Sequence, residues 1–344
     1  MHSTLRRLPL FLLIATTRIA EAQWVSQSSG TDAELRGLSA LTADIVWASG
    51  ARGTVVRTTD GGGHWTTGTI PGAAKLDLRA IAATSARVAH AMSIGDSSRI
   101  FRTTNGGRTW SQRFLSVRKG SFLDAIRFWD ARHGIAVSDP VDGHFYLVTT
   151  SDGGESWQEA PTDRLPLALP NEGAFAASGS CLAVYGRNDV WFVTGGAAAA
   201  RIFHSANRGR SWTVHDTPLR AGVAAAGAFS VAFRDAKHGV VAGGDYQQPR
   251  LGGQNVALTS DGGATWTLVD SATAPAGYRS AVALSPGSAG KSLIAVGLSG
   301  TDISRDGGLT WTGIDTTAYN SVQLSGASAY AVGPKGRIAK YVLK

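Results

Sequence analysis

One octapeptide recurs six times along the 344 residues, and its spacing leaves few folds open. It reads Ser/Thr, any residue, Asp/Asn, Gly/Arg, Gly, any residue, Thr/Ser/His, Trp. It runs Thr58–Trp65, Thr103–Trp110, Thr150–Trp157, Ser205–Trp212, Thr259–Trp266 and Ser304–Trp311. A period of 45 to 55 residues marks a propeller or a solenoid. The flanks decide between them. A short β-rich run precedes each box, such as Thr54-Val55-Val56-Arg57, and another follows its Trp. Strand, Asp-Gly-Gly turn, strand is a hairpin. Two further strand-like runs lie upstream in each unit, Leu35–Leu38 and Asp44–Ala48 in the first. Four short antiparallel strands per unit make a propeller blade, so the expected fold is an all-β propeller.

The blade count comes to seven. After Trp311 the chain supplies three more strand-like runs, Ser321–Leu324, Ala329–Val332 and Arg337–Leu343, and no further box. At the other end Gln23-Trp24-Val25-Ser26 resembles an outer strand with no blade before it. Trp24 lies 41 residues before Trp65, in step with the boxes. The N-terminal strand is therefore expected to complete the last blade, which closes the ring and removes exposed edges.

Residues 1–22 read as a secretory signal: Arg6 and Arg7, an apolar stretch from Leu8 to Ala15, then Ala20-Glu21-Ala22 for the peptidase. The general export route is preferred to twin-arginine export, because Leu5 before the Arg pair fits the latter poorly. The mature chain, 23–344, is expected to be one propeller domain, periplasmic or extracellular and monomeric. Composition agrees, with 43% hydrophobic and 17% charged residues and 43 Gly for tight turns. The single Cys excludes an internal disulfide, and nothing resembles a Cys-based metal cluster. No nucleotide fingerprint or haem motif appears, so no cofactor and no metal are expected. The net charge of +8 favours acidic partners. Nucleic acid is the weaker reading, since no Lys-rich stripe is present.

The box resembles the BNR/Asp-box motif of sialidases, sortilin-type receptors and photosystem II stability/assembly factors. From Trp24 onward the whole chain is most similar to the last. That resemblance implies a seven-bladed exported propeller that assists the assembly or stability of a membrane-associated complex. The boxes themselves, Asp60 with Trp65, Asn105 with Trp110, Asp152 with Trp157, Asn207 with Trp212, Asp261 with Trp266 and Asp306 with Trp311, read as structural. The Asp or Asn accepts downstream turn amides and Gly supplies positive φ. Asn in two boxes suits an amide acceptor better than an acid or a hard-metal ligand. His133 and His238 recur in equivalent Asp-x-x-His turns, and Cys181 sits in an apolar strand. Neither pattern points to catalysis.

Function is expected on the opposite face, where the second hairpin turns and the blade-to-blade links carry long irregular loops. These include Asp139 in blade three, Glu172 after the Pro-rich link, and Asp245, Tyr246 and Arg250 in blade five. Leu35-Arg36-Gly37-Leu38, Leu78-Arg79-Ala80-Ile81 and Tyr278-Arg279-Ser280-Ala281 open three innermost strands alike. Arg36, Arg79 and Arg279 are thus expected to ring one channel mouth as an anion-binding rim, with Asp124, Phe229 and Asn320 matching them in other blades. The opposing expectation is structural pairing, as of Arg79 with Asp124. The favoured reading is a non-catalytic scaffold for a protein or anionic partner. The alternative is a sialidase-type glycoside hydrolase using these Arg, Tyr246, Glu172 and Asp139. Against it stand the missing Arg-Ile-Pro signature and the seven blades.

Overall fold

A computed structural model describes residues 23–286 and 288–343; the expected leader lies outside the described residues. Among these, every regular element is a strand, and the strands form seven four-stranded antiparallel sheets. Six sheets are consecutive in sequence, each running from innermost to outermost strand. The first comprises Leu35–Ala40, Val46–Gly50, Thr54–Thr58 and Thr66–Thr69. Burial follows that order: Val46–Gly50 is buried throughout and Thr66–Thr69 is exposed throughout. A strand covered on both faces is a continuous apolar run, whereas a solvated outer strand can be polar. The second strand starts two residues later than its sequence suggests. Thr42 Oγ1 accepts the amides of Asp44 and Ile45, and this turn holds the chain out of the ladder until Val46.

The seventh blade joins both ends of the described chain. Val25–Gln27 pairs antiparallel with Ile338–Val342, Val25 opposite Lys340 and Gln27 opposite Ile338. Trp24 packs against Tyr319 and Tyr341, with ring centroids 5.2 and 5.6 Å away, and its Nε1 donates to Thr301 Oγ1 of blade six at 3.1 Å. The N-terminal strand thus supplies the outermost strand of the last blade and closes the ring.

Neighbouring blades lock through one recurrent position on the second strand. Trp47 packs edge-on to Trp110 of the next blade at 6.1 Å. His90 lies over Phe128 at 4.4 Å and bonds the carbonyl of Gly153 in the next box. Trp191 is sandwiched between His204 and Phe233, and Tyr330 donates to Ala43 in blade one. Glycine is required where this wedge meets a box. Gly154 has φ 79°, and a Cβ there would lie 2.4 Å from the His90 ring.

Box turns and first hairpin turns share one face. The amide of Gly61 donates to Asp44, Gly106 to Arg87, Gly153 to Arg132, Arg208 to Asn188, Gly262 to Lys237 and Gly307 to Lys291. The second hairpin turns and the blade links therefore occupy the other face, over the channel mouth.

Candidate functional site

Strand pairing fixes which residues face the channel mouth. Gly37 opposite Ser49, Ala80 opposite Met92, Ala125 opposite Val137, Ser230 opposite Ala242, Ala281 opposite Val296 and Ser321 opposite Val332 are equivalent pairs. The residues just before them are Arg36, Arg79, Asp124, Phe229, Ser280 and Asn320. All six line one cavity of about 470 Å³. At Arg36, Asp124 and Phe229 the register shifts by one, which leaves these residues outside the ladder and aims them at the channel.

Arg279 is not among them. It stands one register position earlier, and a one-residue offset turns a strand side chain to the other face. Arg279 is buried in its own blade, with Nε donating to Asp302 Oδ2 at 2.6 Å and Nη1 to Tyr278 O and Ser299 Oγ, both at 2.8 Å. Ser280 takes the channel position. The two remaining guanidiniums are partly exposed and paired at the rim: Arg36 with Glu34 at 2.6 Å and Arg79 with Asp77 at 2.7 Å. Arg79 thus takes Asp77, not Asp124, as its partner.

The link after Glu172 closes the channel below this rim. Gly173 to Ser180 crosses the ring and touches blade after blade. Arg36 donates to Ala177 O, Ser178 to Ser280 O, and Ser321 to Ser178 O. Asp139 Oδ1 accepts the Ala174 amide at 3.0 Å, and Phe175 stacks on Phe229 at 3.8 Å. Glycine makes room for the backbone beside Phe175. Gly195 and Gly227, bridged here, leave 2.5 Å between an added Cβ and the facing Cα.

Glu172 anchors this plug and lies outside the cavity. Its oxygens accept from Thr194 Oγ1 at 2.5 Å, Arg201 Nε at 2.8 Å and the Leu169 amide at 2.8 Å, and a further bond comes from Arg201 Nη2. No Tyr246–Glu172 couple of sialidase type is therefore assembled. Tyr246 lines the cavity and is 41% exposed. Asp245 is buried and accepts from the Gln247 amide and Gln248 Nε2, so it fixes its own turn. Arg250 is exposed and is not part of the cavity wall.

Two carboxyl groups share the floor. Asp124 is fully buried; the Asp139 and Ala176 amides approach its oxygens, but neither contact has the geometry of a full hydrogen bond. Burial pushes its pKa far up, the Asp139 charge adds to this, and Arg79 opposes it. Burial also raises Asp139, to about 6, against the Ala174 amide. Burial thus favours the neutral form of both carboxyl groups on the floor. Aromatic side chains complete the wall: Phe122, Phe175, Phe229, Tyr246 and Tyr278.

The box carboxylates are engaged within their own turns. Asp152 Oδ1 accepts the Ser156 amide at 3.1 Å and Thr150 Oγ1 at 2.8 Å, and Oδ2 accepts Ser156 Oγ at 2.6 Å. Asp60, Asp261 and Asp306 accept the equivalent amides at 2.9 Å. Asn105 and Asn207 do so at 2.9 Å and donate through Nδ2 to Thr109 and Ser211. These bonds hold Asp152 below the usual carboxylate range and Asp261 at about 2. Trp157, Trp212 and Trp311 are buried behind their turns; Trp65, Trp110 and Trp266 are partly buried. Asp130 and Asp235 hold the His133 and His238 turns in the same way. Cys181 is buried, and its thiol is pushed up by burial. Among the described residues no His/Cys/Asp/Glu group is arranged for a metal ion, and no helix is long and apolar enough to cross a membrane.

No family's sequence model and no curated protein matches the chain. Solved structures do match. YCF48 bound to D1 peptide aligns with TM-score 0.63 and 17% identity over 93% of this chain and 95% of that one. A GH74 xyloglucanase from Xanthomonas campestris aligns with TM-score 0.64 and 17% identity, over 94% of this chain and 54% of the enzyme. Virginiamycin B lyase from Staphylococcus aureus aligns with TM-score 0.65 and 13% identity, over 94% and 99%. A binding protein and two enzymes at such identities share architecture rather than activity, and the conclusion they support is that this chain is a seven-bladed β-propeller.

Proposed function

We propose that the protein is an exported, non-catalytic propeller that holds an extended segment of a partner protein at the channel mouth, in the service of assembling or stabilising a membrane-associated complex. The observation that carries this is the convergence of Arg36 and Arg79, from adjacent blades, on one aromatic-walled cavity. A rigid ring supplies the positions, irregular loops supply the wall, and the guanidiniums offer donors to a carboxylate or a backbone carbonyl. Aromatic faces give apolar area with little loss of side-chain entropy. YCF48, which shares the fold, is bound to a D1 peptide, and that supports a peptide-like ligand. Export rests on the signal-like residues 1–22.

A second reading, glycoside hydrolysis, is favoured by one feature, the two carboxyl groups with raised pKa on the cavity floor. A general acid must reach its substrate, and Asp124 lies wholly beneath the plug. Selection of displayed peptides on the immobilised protein, with fluorogenic glycosides assayed in parallel, separates the two. The binding reading expects enriched peptides whose capture falls when Arg36 and Arg79 become Gln, and no glycoside turnover. Turnover lost in Asp139→Asn would replace it with the hydrolase.

A further inference from the structure

We propose that the seam between blades five and six is a docking slot for the indole ring of a tryptophan side chain on a partner protein. The slot shares no lining residue with the channel mouth and stands independently of the segment-binding reading.

The repeat itself shows what a filled seam holds. The wedge on the second strand is a ring in four seams: Trp47, His90, Trp191 or Tyr330. Blade three has Ile135 there, and Trp129 of the adjoining turn reaches across instead, its Nε1 donating to Asp189 O at 2.8 Å. Blade five has Val240 at the wedge register, opposite Ala232. Its counterpart of Trp129 is Arg234, which donates to Ala289 O at 3.3 Å. No wedge ring fills this seam, and a cavity of about 600 Å³ lies open in it. Leu258 and Leu284 flank the cavity at the places from which His204 and Phe233 sandwich Trp191, with centroids 4.6 and 3.8 Å away, one seam earlier.

A hydrogen-bond acceptor waits at the same place. One carbonyl of the box turn is met across the seam by Lys340 Nζ at Gly61 and by His90 at Gly153, both at 3.0 Å, and by Trp191 Nε1 at Gly262, at 2.8 Å. The equivalent residue, Gly307, lines the cavity, and its carbonyl accepts from no described residue. A planar apolar ring with one N–H answers both features. A phenyl ring has no donor, and an imidazole has too little apolar area.

The lip of the slot points to a ring carried on a protein. Leu309 is 62% exposed at a box position where the other boxes have Gly63, Arg108, Glu155, Ala264 or Arg210. A large apolar side chain exposed beside an apolar slot marks a surface that a partner covers, and tryptophan is the side chain that most often anchors such contacts. A free small molecule seated in the slot would leave this lip in water.

The test is calorimetric titration of the protein with N-acetyltryptophanamide, its 1-methyl derivative, free indole and N-acetylleucinamide. N-acetyltryptophanamide should bind with a dissociation constant of about 0.1–1 mM. The 1-methyl derivative lacks the donor and should bind roughly tenfold more weakly, and the leucine compound should not saturate. Val240→Trp fills the slot from within and should abolish binding. Leu309→Glu, at an exposed turn position, should weaken it about fivefold or more, while Arg36→Gln/Arg79→Gln retains it. No saturable binding by the parent, equal binding of the 1-methyl or leucine compound, or unchanged binding by Leu309→Glu would each overturn the slot. Loss of binding in the arginine variant would move the ligand to the channel mouth and overturn it as well. Indole binding tenfold tighter than the blocked tryptophan would mark a site for a free small molecule and overturn the docking of a partner. Should Val240→Trp misfold, Leu309→Glu and the 1-methyl comparison decide.

Discussion

Glu172→Gln should destabilise the protein although it changes one atom. Glu172 is fully buried at its side chain, and Arg201 opposite is 9% exposed. Arg201 also donates to Leu167 O at 2.9 Å and lies over the Phe203 ring at 5.0 Å, so it cannot move to water without losing both. An amide in place of the carboxylate turns one acceptor into a donor facing other donors, and it leaves the guanidinium buried without a counter-charge. Removing one partner of a buried pair costs about 3–5 kcal/mol. At an unfolding entropy of about 2 cal/mol/K per residue over roughly 320 residues, this lowers Tm by about 5–8 °C. Differential scanning calorimetry reads it directly. Because Glu172 anchors the segment from Gly173 to Ser180, peptide capture at the cavity should fall with it. The double variant Glu172→Gln/Arg201→Met should recover much of the loss, because both charges are then gone. A single variant within about 1 °C of the parent would refute the anchoring role assigned to this pair.

The seam gives a second prediction: Trp24→Ala should cost about 2–3 kcal/mol from two aromatic contacts and lost burial, and deleting Gln23–Ser28 should lower Tm by several degrees. An unchanged Tm would contradict closure by this strand. In the box of blade three, Asp152→Asn should be mild and Asp152→Ala should cost on the order of 1 kcal/mol, since an amide oxygen still accepts the Ser156 amide. Equal damage by Asn and Ala would show that the charge itself matters. For Asp139 the folded pKa is raised from 3.8 to about 6, so its contribution is fully present below about pH 4 and is lost as the pH rises through 6. His90, lowered to about 4 by burial, works in the opposite sense, so the readout is the difference between parent and Asp139→Asn. The Asn variant should gain stability on the parent between pH 4 and 7, by about 3 kcal/mol at most. Parallel pH profiles would show that Asp139 titrates normally.

The boxes made the blades legible in the sequence, because each carries a turn signature that the backbone requires locally. The seam was legible for the same reason, Trp24 being in step with the box Trp residues. The mouth was legible only in part. Arg36, Arg79, Asp124, Phe229 and Asn320 fall where the matched openings of the inner strands put them. Arg279 does not, because resemblance between Leu35-Arg36 and Tyr278-Arg279 carries no information about register, and register alone decides which face a strand residue takes. The plug left no signal either: apart from Phe175, Gly173 to Ser180 consists of small residues, and its contacts span more than a hundred residues. Glu172 was singled out as a polar loop residue, but its partner Arg201 lies 29 residues away in a different element, and spacing could not pair them.

The central claim is that Arg36 and Arg79 hold a partner segment at the channel mouth. The most direct measurement is the affinity of a selected peptide for the parent and for Arg36→Gln/Arg79→Gln, at about 50 mM and about 500 mM salt, where charge attraction is respectively strong and screened. The account predicts that the double variant folds normally, binds at least about tenfold more weakly at low salt, and loses most of the salt dependence. Equal affinity of the two proteins at low salt would contradict it.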